Sequence, residues 1–320
     1  METTTPEQAA FSPQNATVIG PSENAYDLSP AVRHIVTKVK DALAADTKII
    51  VMLGEEHNTV AQVRLIELVR RGLQDAGIEN PVIAVEEPNN LLEEKLQNFF
   101  PGGDQKTFRD NAERALENQK KTSIRQYRRL QAMASAGATW NETPLTNLEN
   151  INSWLRDGLD IRLVDIASEK GRLNTGQPEA AAFIAANAPD TANHADIKTL
   201  SADGIRLRNL WMATTLRGIF GEKDTRVILL QAGTGHIGGY LPVGWDYINS
   251  LHRFLTDATN DDNFKVVSVF QESHYTHFDA DLSNLAHLAM DTPDTVIIQP
   301  GMDTRHIVKY AGSFEDEAEA

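Results

Sequence analysis

Short apolar runs rich in valine and isoleucine recur along the chain, and helical patterns separate them. The runs cover residues 48–53, 82–85, 161–164, 226–231, 266–270 and 295–298. Strands that are apolar on both sides are typical of parallel sheets covered by helices on both faces. Helical segments predicted at 60–75, 203–220 and 246–257 supply such a cover. The sequence therefore predicts an α/β fold with a mostly parallel central sheet flanked by helices.

The predicted domain organisation follows from where this alternation starts, pauses and stops. Residues 1–27 are polar and predict a disordered leader, and 28–310 predict a single α/β domain. Between about 90 and 158 only helical pattern is present, which is longer than an ordinary connection between strands. This segment is interpreted as a helical insertion or cap over one edge of the sheet. Residues 311–320 form an acidic tail.

Charge and composition exclude several classes of function. The net charge of −15 opposes binding to nucleic acid, whose phosphates attract basic surfaces. The chain has no cysteine, which excludes disulfides, thiolate metal sites and a cysteine nucleophile. The longest apolar runs are far shorter than the roughly 20 residues that a membrane span requires. The leader lacks a Sec signal pattern, so the expected location is the cytoplasm, or outside the cell by a non-Sec route.

Polar side chains directly follow five of the predicted strands. They are Gly54-Glu55-Glu56-His57, Glu86-Glu87, Asp165, Gly233-Thr234-Gly235-His236 and Gln271-Glu272-Ser273-His274. In open α/β sheets, ligands bind beyond the carboxyl ends of the strands, so these groups are expected to meet at one edge of the sheet. That concentration of titratable groups predicts a functional site.

Two Gly-x-x-His elements, ending at His57 and His236, each follow a strand. We expect the glycine to permit a tight turn with positive φ and the histidine to lie at the strand end. A neutral imidazole is both a general base near neutral pH and a ligand for divalent metals. His57 can alternatively cap the helix that follows it.

Several carboxylates are candidates for the side chains that point into the predicted site. Either Glu55 or Glu56 faces the site, and Glu86 is expected to point inward because it lies nearer its strand than Glu87 does. Asp165 is either a functional carboxylate or an acceptor for backbone N–H groups. These assignments rest on position alone.

Two further residues are candidates for the site. His274 is expected to line it, together with Asp165, as part of a ligand- or cofactor-binding wall. Arg208 lies one helical turn before Met212, on a predicted apolar face. It points either towards the sheet or into solvent.

The motifs "LGEEHNT", "VIAVEE", "RLRNLWMATTL" and "VILLQAGTGHIGG" resemble, in that order, the superfamily of erythromycin esterases, haem-binding ChaN and TraB/Tiki proteins. The resemblance spans roughly residues 48–239 and implies an α/β fold with its site at the strand ends. It matches Glu55 and His57 to the first motif, Glu86 to the strand-ending acid, Arg208 to the helix arginine and His236 to the second histidine. This chain lacks the lipoprotein cysteine of ChaN and the membrane anchor of TraB/Tiki. Asn58-Thr59 also replaces the His-Gly pair of the esterases, so an antibiotic substrate is not implied.

The sequence and this resemblance together indicate a hydrolase, esterase- or protease-like, acting on a small molecule or peptide. His57 or His236 would be a base or metal ligand, while Glu55 and Glu86 would orient the histidines or hold a cation. Arg208 would stabilise an oxyanion. If a divalent metal (Mn, Co or Zn) is required, the expected ligands are His57, His236 and Glu86. The alternatives are a haem-binding protein of the ChaN type and a secreted bacterial effector or toxin.

Overall fold

The computed structural model describes residues 15–19, 28–55, 60–88, 150, 154, 157–166, 168–169, 171–222, 224–238, 240–241, 244–245, 247–257, 264–271 and 292–298. Its helices are α1 (Ser29–Ala44), α2 (Val60–Asp75), α3 (Pro178–Asn187), α4 (Ala202–Gly221), α5 (Thr234–Gly238) and α6 (Leu251–Thr256). The strands of the main sheet are β1 (Thr17–Ile19), β2 (Lys48–Glu55), β3 (Val82–Pro88), β4 (Ile161–Asp165), β7 (Val227–Gly233), β10 (Phe264–Gln271) and β11 (Thr295–Ile298). Two short antiparallel pairs complete the set, β5 (Ser168–Glu169) with β6 (Arg172–Leu173) and β8 (Tyr240–Leu241) with β9 (Gly244–Trp245).

Within the described residues, the main sheet has seven strands in the order β1-β11-β10-β2-β7-β3-β4. Every neighbouring pair in it is parallel. The predicted α/β fold with a parallel central sheet is therefore confirmed. Parallel pairing places the carboxyl ends of all these strands at the same edge, which we call the carboxyl edge.

Alternating side chains of the strands divide the core into two layers. On one face, Ile49, Val51 and Leu53 of β2 belong to the apolar layer that α1 and α2 cover. On the other face, Ile50 and Met52 belong to the layer covered by α4, α5 and α6. A run that is apolar at every position is required because both faces are buried.

Two predicted features differ from the structure. Thr17–Ile19 fall inside the predicted disordered leader but form the edge strand β1, paired with β11. The prediction is wrong for this segment because a β-branched triplet can add to a parallel edge even inside a polar stretch.

A helix expected over 246–257 instead begins at Leu251, because the Ser250 hydroxyl accepts a hydrogen bond from the Arg253 N–H and caps it there.

The predicted insertion, apart from a few residues near its end, and the acidic tail lie outside the described residues. Of the helices that the structure describes, none is both long and apolar enough to cross a membrane.

Candidate functional site at the carboxyl edge

Arg208 is the centre of a buried charged cluster on the α4 face of the sheet. Its Nε and Nη2 atoms donate to Asp165 at the end of β4, with distances of 3.0 and 2.7 Å to Oδ2. The same Nη2 donates to Oε1 of Glu86 at 2.7 Å. The guanidinium therefore joins the ends of β3 and β4 to α4.

Glu86 is held at both of its oxygens. Its Oε2 accepts the backbone N–H of Gly233, at the end of β7, at 2.6 Å. Its Oε1 is shared between Arg208 and Nε2 of His236, which lies 3.1 Å away on α5. The carboxylate thus has an orientation set by three different elements.

The imidazole of His236 is held from its other side by Asn209. The Nδ1 atom lies 2.5 Å from Oδ1 of Asn209, while Nδ2 of the same amide donates to the backbone oxygen of Asn249 at 2.7 Å. Since a carbonyl oxygen can only accept, the amide nitrogen must face Asn249 and the amide oxygen must face the ring. His236 Nδ1 is consequently the protonated, donating atom.

This tautomer has a consequence at Nε2. A neutral ring protonated at Nδ1 has only a lone pair on Nε2, and an ionised Glu86 offers only acceptors. The contact of 3.1 Å between Nε2 and Oε1 is favourable only when one proton lies between them. The cluster therefore holds either an imidazolium beside a carboxylate or an imidazole beside a carboxylic acid.

The side chains of the cluster are almost completely shielded from solvent. The exposed fractions of the side chains are 3% for Asp165, 6% for Glu86, 8% for His236 and 11% for Arg208. Burial raises the pKa of the Asp165 carboxyl, and the neighbouring Arg208 offsets part of that rise. Burial acts to lower the pKa of Arg208, but Asp165 and Glu86 outweigh it and hold the pKa above its usual value. The guanidinium thus remains charged.

Glu55 belongs to a different group of side chains at the same edge. Its Oε2 accepts from Nε2 of Gln231 at 3.0 Å, and Nε2 of Gln271 donates to the Gly54 carbonyl at 2.9 Å. All three side chains are buried, and their positions along β2, β7 and β10 place them on the α1/α2 face. Glu86, by contrast, contacts α4 and α5. The carboxyl edge therefore brings the predicted acids together, but on opposite faces of the sheet.

The two motif glycines do not serve the expected purpose. Among the described residues, neither Gly54 nor Gly233 has a positive φ, and both are parts of strands. A Cβ at Gly54 would lie 2.8 Å from the Val269 carbonyl oxygen and 3.1 Å from Oγ1 of Thr234. Gly54 is therefore needed for close packing rather than for a turn, and the predicted positive φ is wrong.

The remaining predicted site residues lie outside the described residues. They are His57, Glu56 and His274. Arg208 donates its hydrogen bonds to Asp165 and Glu86, and its expected oxyanion role stays a prediction.

Sequence reasoning did not select Asn209, although a signal was present. Asn209 lies on the apolar stripe of α4 with Ile205, Met212 and Leu216, and it is completely buried. A polar residue inside an apolar stripe requires an internal hydrogen-bond partner. His236 and Asn249 are those partners.

The described donors fit an acid–base pair better than a cation site. Among the residues that the structure describes, no group of three His, Asp or Glu side chains is arranged to hold a metal. The positive Arg208 also lies 2.7 Å from the Glu86 oxygen that faces His236, and it would repel a dication there. Haem ligation requires a free imidazole nitrogen, whereas both ring nitrogens of His236 contact protein groups. The described residues of the cluster do not by themselves hold either group, and His57, the third predicted metal ligand, lies outside the described residues.

Comparisons with known proteins give distant structural likenesses. No family model matches the sequence, and no curated protein matches it. The type III effector HopBA1 is 12% identical with a TM-score of 0.38, covering 90% of this chain and 99% of that chain. ChaN of Campylobacter jejuni, whose structure shows cofacial haem binding, is 12% identical with a TM-score of 0.34, covering 78% and 88%. A Bacillus cereus protein is 10% identical with a TM-score of 0.35, covering 81% and 72%.

Proposed function

We propose that this protein is a hydrolase in which His236 and Glu86 form the acid–base pair. One observation carries the proposal: His236 Nε2 lies 3.1 Å from Glu86 Oε1, while Nδ1 is held by Asn209. Such a pair holds one transferable proton at the edge where open α/β sheets bind their ligands. Buried titratable groups with a specific charged partner are typical of functional sites.

The proposed reaction uses that proton in a balanced cycle. The oxygen of a water molecule bonds to the electrophilic carbon or phosphorus of the substrate, and the bond to the leaving oxygen or nitrogen breaks. The His236–Glu86 pair donates its proton to the leaving group and takes one from the attacking water. The pair therefore returns to its starting state. The bond cleaved is an ester, peptide or phosphoester bond.

Arg208 and Asp165 have a supporting role in this proposal. Arg208 holds Oε1 of Glu86 at 2.7 Å, and Asp165 in turn orients the guanidinium through two of its nitrogens. With one proton between His236 and Glu86, the four side chains together are electrically neutral. Neutrality favours their burial, because an uncompensated buried charge is costly.

The haem-binding alternative makes a different demand on the same histidine. Its ring would have to leave either Glu86 or Asn209 before it could ligate iron. Titration of the protein with haem tests this directly, since a Soret shift that disappears in His236→Gln would favour haem binding over hydrolysis.

We expect His236→Gln and Glu86→Gln each to lower kcat by about 10²–10⁴-fold, the usual contribution of general acid–base catalysis. The probes are 4-nitrophenyl acetate, bis(4-nitrophenyl) phosphate and a fluorogenic peptide library, assayed on the full chain. His252→Gln is the matched control, because His252 is also a buried histidine on this face but contacts Ser268 instead of the cluster. Equal rates in wild type, His236→Gln and Glu86→Gln on every probe would contradict the proposal.

A further inference from the structure

Asn209 connects the acid–base pair to the 3₁₀ turn that precedes α6. Its side chain is completely buried, and each end of the amide has one defined contact. The oxygen lies 2.5 Å from His236 Nδ1, and the nitrogen lies 2.7 Å from the Asn249 carbonyl. Asn249 ends the 3₁₀ turn Tyr247–Asn249, which directly precedes the Ser250 cap of α6.

The Asn249 carbonyl determines which end of the Asn209 amide is the nitrogen and which is the oxygen. A reversed amide would place its oxygen against the Asn249 carbonyl and its nitrogen against His236 Nδ1. Two acceptors would then face each other in a buried site, which costs about 1–3 kcal/mol. The backbone of the turn therefore sets the direction of the Asn209 amide.

The direction of the Asn209 amide then fixes both the orientation and the tautomer of the His236 imidazole. A ring rotated by half a turn would present carbon atoms to Asn209 and to Glu86, so both contacts would be lost. The opposite tautomer would place a lone pair on Nδ1 against the amide oxygen. Only a ring protonated at Nδ1, with Nε2 towards Glu86, satisfies both partners.

We propose that Asn209 is a positioning residue that imposes the Nδ1-protonated state and the orientation of His236. The inference rests on the proposed function for its catalytic meaning, while the ring state itself can be measured independently. Loss of the hydrogen bond that orients a metal-ligating histidine lowers activity by about 10–100-fold, and we expect an effect of the same order for the hydrogen bond that orients His236. Asn209 would act through His236 and need not touch the substrate.

The test compares Asn209→Leu, Asn209→Asp and a matched control. Leu has a similar volume but no acceptor, whereas Asp keeps an oxygen that can accept from Nδ1. The control is Asn187→Leu, because the Asn187 amide nitrogen also donates to a backbone carbonyl, that of Phe183 at 2.8 Å, with no histidine on its oxygen. Ring nitrogens are observed by ¹⁵N NMR, with His236 signals assigned from His236→Gln, and kcat and KM are measured on the hydrolysed probe.

We expect wild type, Asn209→Asp and Asn187→Leu to show a protonated Nδ1 on His236. In Asn209→Leu that signal should be lost or exchange-broadened, and kcat should fall by about 10–100-fold with little change in KM. If the leucine variant does not fold, Asn209→Ser replaces it, since the shorter hydroxyl cannot reach the ring.

Two results separate this inference from the proposed function. Loss of the Nδ1 signal in Asn209→Leu supports the positioning role even when no probe is hydrolysed, and then only the proposed hydrolase fails. An unprotonated Nδ1 in wild type would overturn the inference. An unchanged Nδ1 signal and kcat in Asn209→Leu would overturn it as well, whatever the outcome for His236→Gln and Glu86→Gln.

Discussion

His252 lies on α6 with its Nδ1 atom 2.8 Å from the buried hydroxyl oxygen of Ser268 on β10. The pKa of this histidine is lowered from 6.5 to about 4, mainly by burial and also by the neighbouring Arg253, while Asp257 and Asp294 act to raise it. His252 is thus a core histidine that is uncharged at neutral pH. It differs from His236, whose partner is a carboxylate.

This depressed pKa predicts a loss of stability in mild acid. The folded state binds the His252 proton only near pH 4, whereas the unfolded state binds it below about pH 6.5. The contribution to the free energy of unfolding is therefore full above pH 6.5 and declines by about 3 kcal/mol as the pH falls to 4. Urea unfolding of wild type and His252→Gln between pH 7.5 and 4.5 measures this. Parallel pH dependence in the two proteins would contradict the assignment.

Gly54 shows how one missing methyl group permits close packing of β2 against β10 and α5. Its added Cβ would lie 2.8 Å from a backbone oxygen of the adjacent strand, which cannot move aside cheaply. We therefore expect Gly54→Ala to lower the free energy of unfolding by about 1–3 kcal/mol, the typical cost of overpacking. Gly218→Ala on α4 is the control, since nothing lies within 4 Å of its added Cβ and alanine favours a helix. Equal stability of Gly54→Ala and wild type in denaturant would refute the packing explanation.

At the scale of elements, a buried ion-pair network attaches Trp154 to α2. The Glu67 carboxylate accepts from Arg70 Nε at 2.7 Å and from the indole N–H of Trp154 at 2.6 Å. Arg71 also donates to it at 2.7 Å. Burial raises the pKa of Glu67, but these hydrogen bonds outweigh burial and lower it overall. The carboxylate is thus ionised at neutral pH and joins two elements that are distant in sequence.

Removing that carboxylate should be much more harmful than removing an exposed partner. Glu67→Ala leaves the Arg70 guanidinium, whose side chain is only 6% exposed, without its main counter-charge. We expect a loss of about 3–5 kcal/mol, as is usual when one partner of a buried pair is deleted. Arg71→Ala, with a side chain 63% exposed, should cost about 1 kcal/mol or less. Chemical denaturation of both variants decides the comparison, and similar losses in the two would show that the network is not a buried one.

At the scale of the whole molecule, the order of the strands assembles the candidate site. β7 lies between β2 and β3, although it follows both of them in the chain by many residues. This placement brings the Gly233 N–H within 2.6 Å of Glu86 and positions α5, with His236, over the α4 face. Asp165 then joins the cluster because β4 pairs with β3. The contacts are long-range in sequence and depend on the parallel register.

Much of the fold could be predicted from local pattern. The parallel sheet follows from continuous apolar runs alternating with amphipathic helices, because such runs must be covered on both faces. The position of Glu86, Asp165 and His236 at strand ends follows from the same pattern. The acids are divided between two faces of the sheet, with Glu55 beside Gln231 and Glu86 beside Arg208. The face on which each acid lies depends on its exact position along its strand, because successive side chains point to opposite faces. A shift of one residue in the strand moves the acid to the opposite face, so local sequence determines the face poorly.

Local sequence pattern is enough to predict a helix-covered parallel sheet with titratable groups at its carboxyl edge. The reason is that apolar periodicity and turn chemistry act over a few neighbouring residues. Which of these groups meet depends on the folded chain, where Arg208 contacts two carboxylates and His236 lies between Glu86 and Asn209. Those contacts join residues from 27 to 150 positions apart in the chain, and hydrogen-bond geometry between them exists only once strand order, register and helix packing are set.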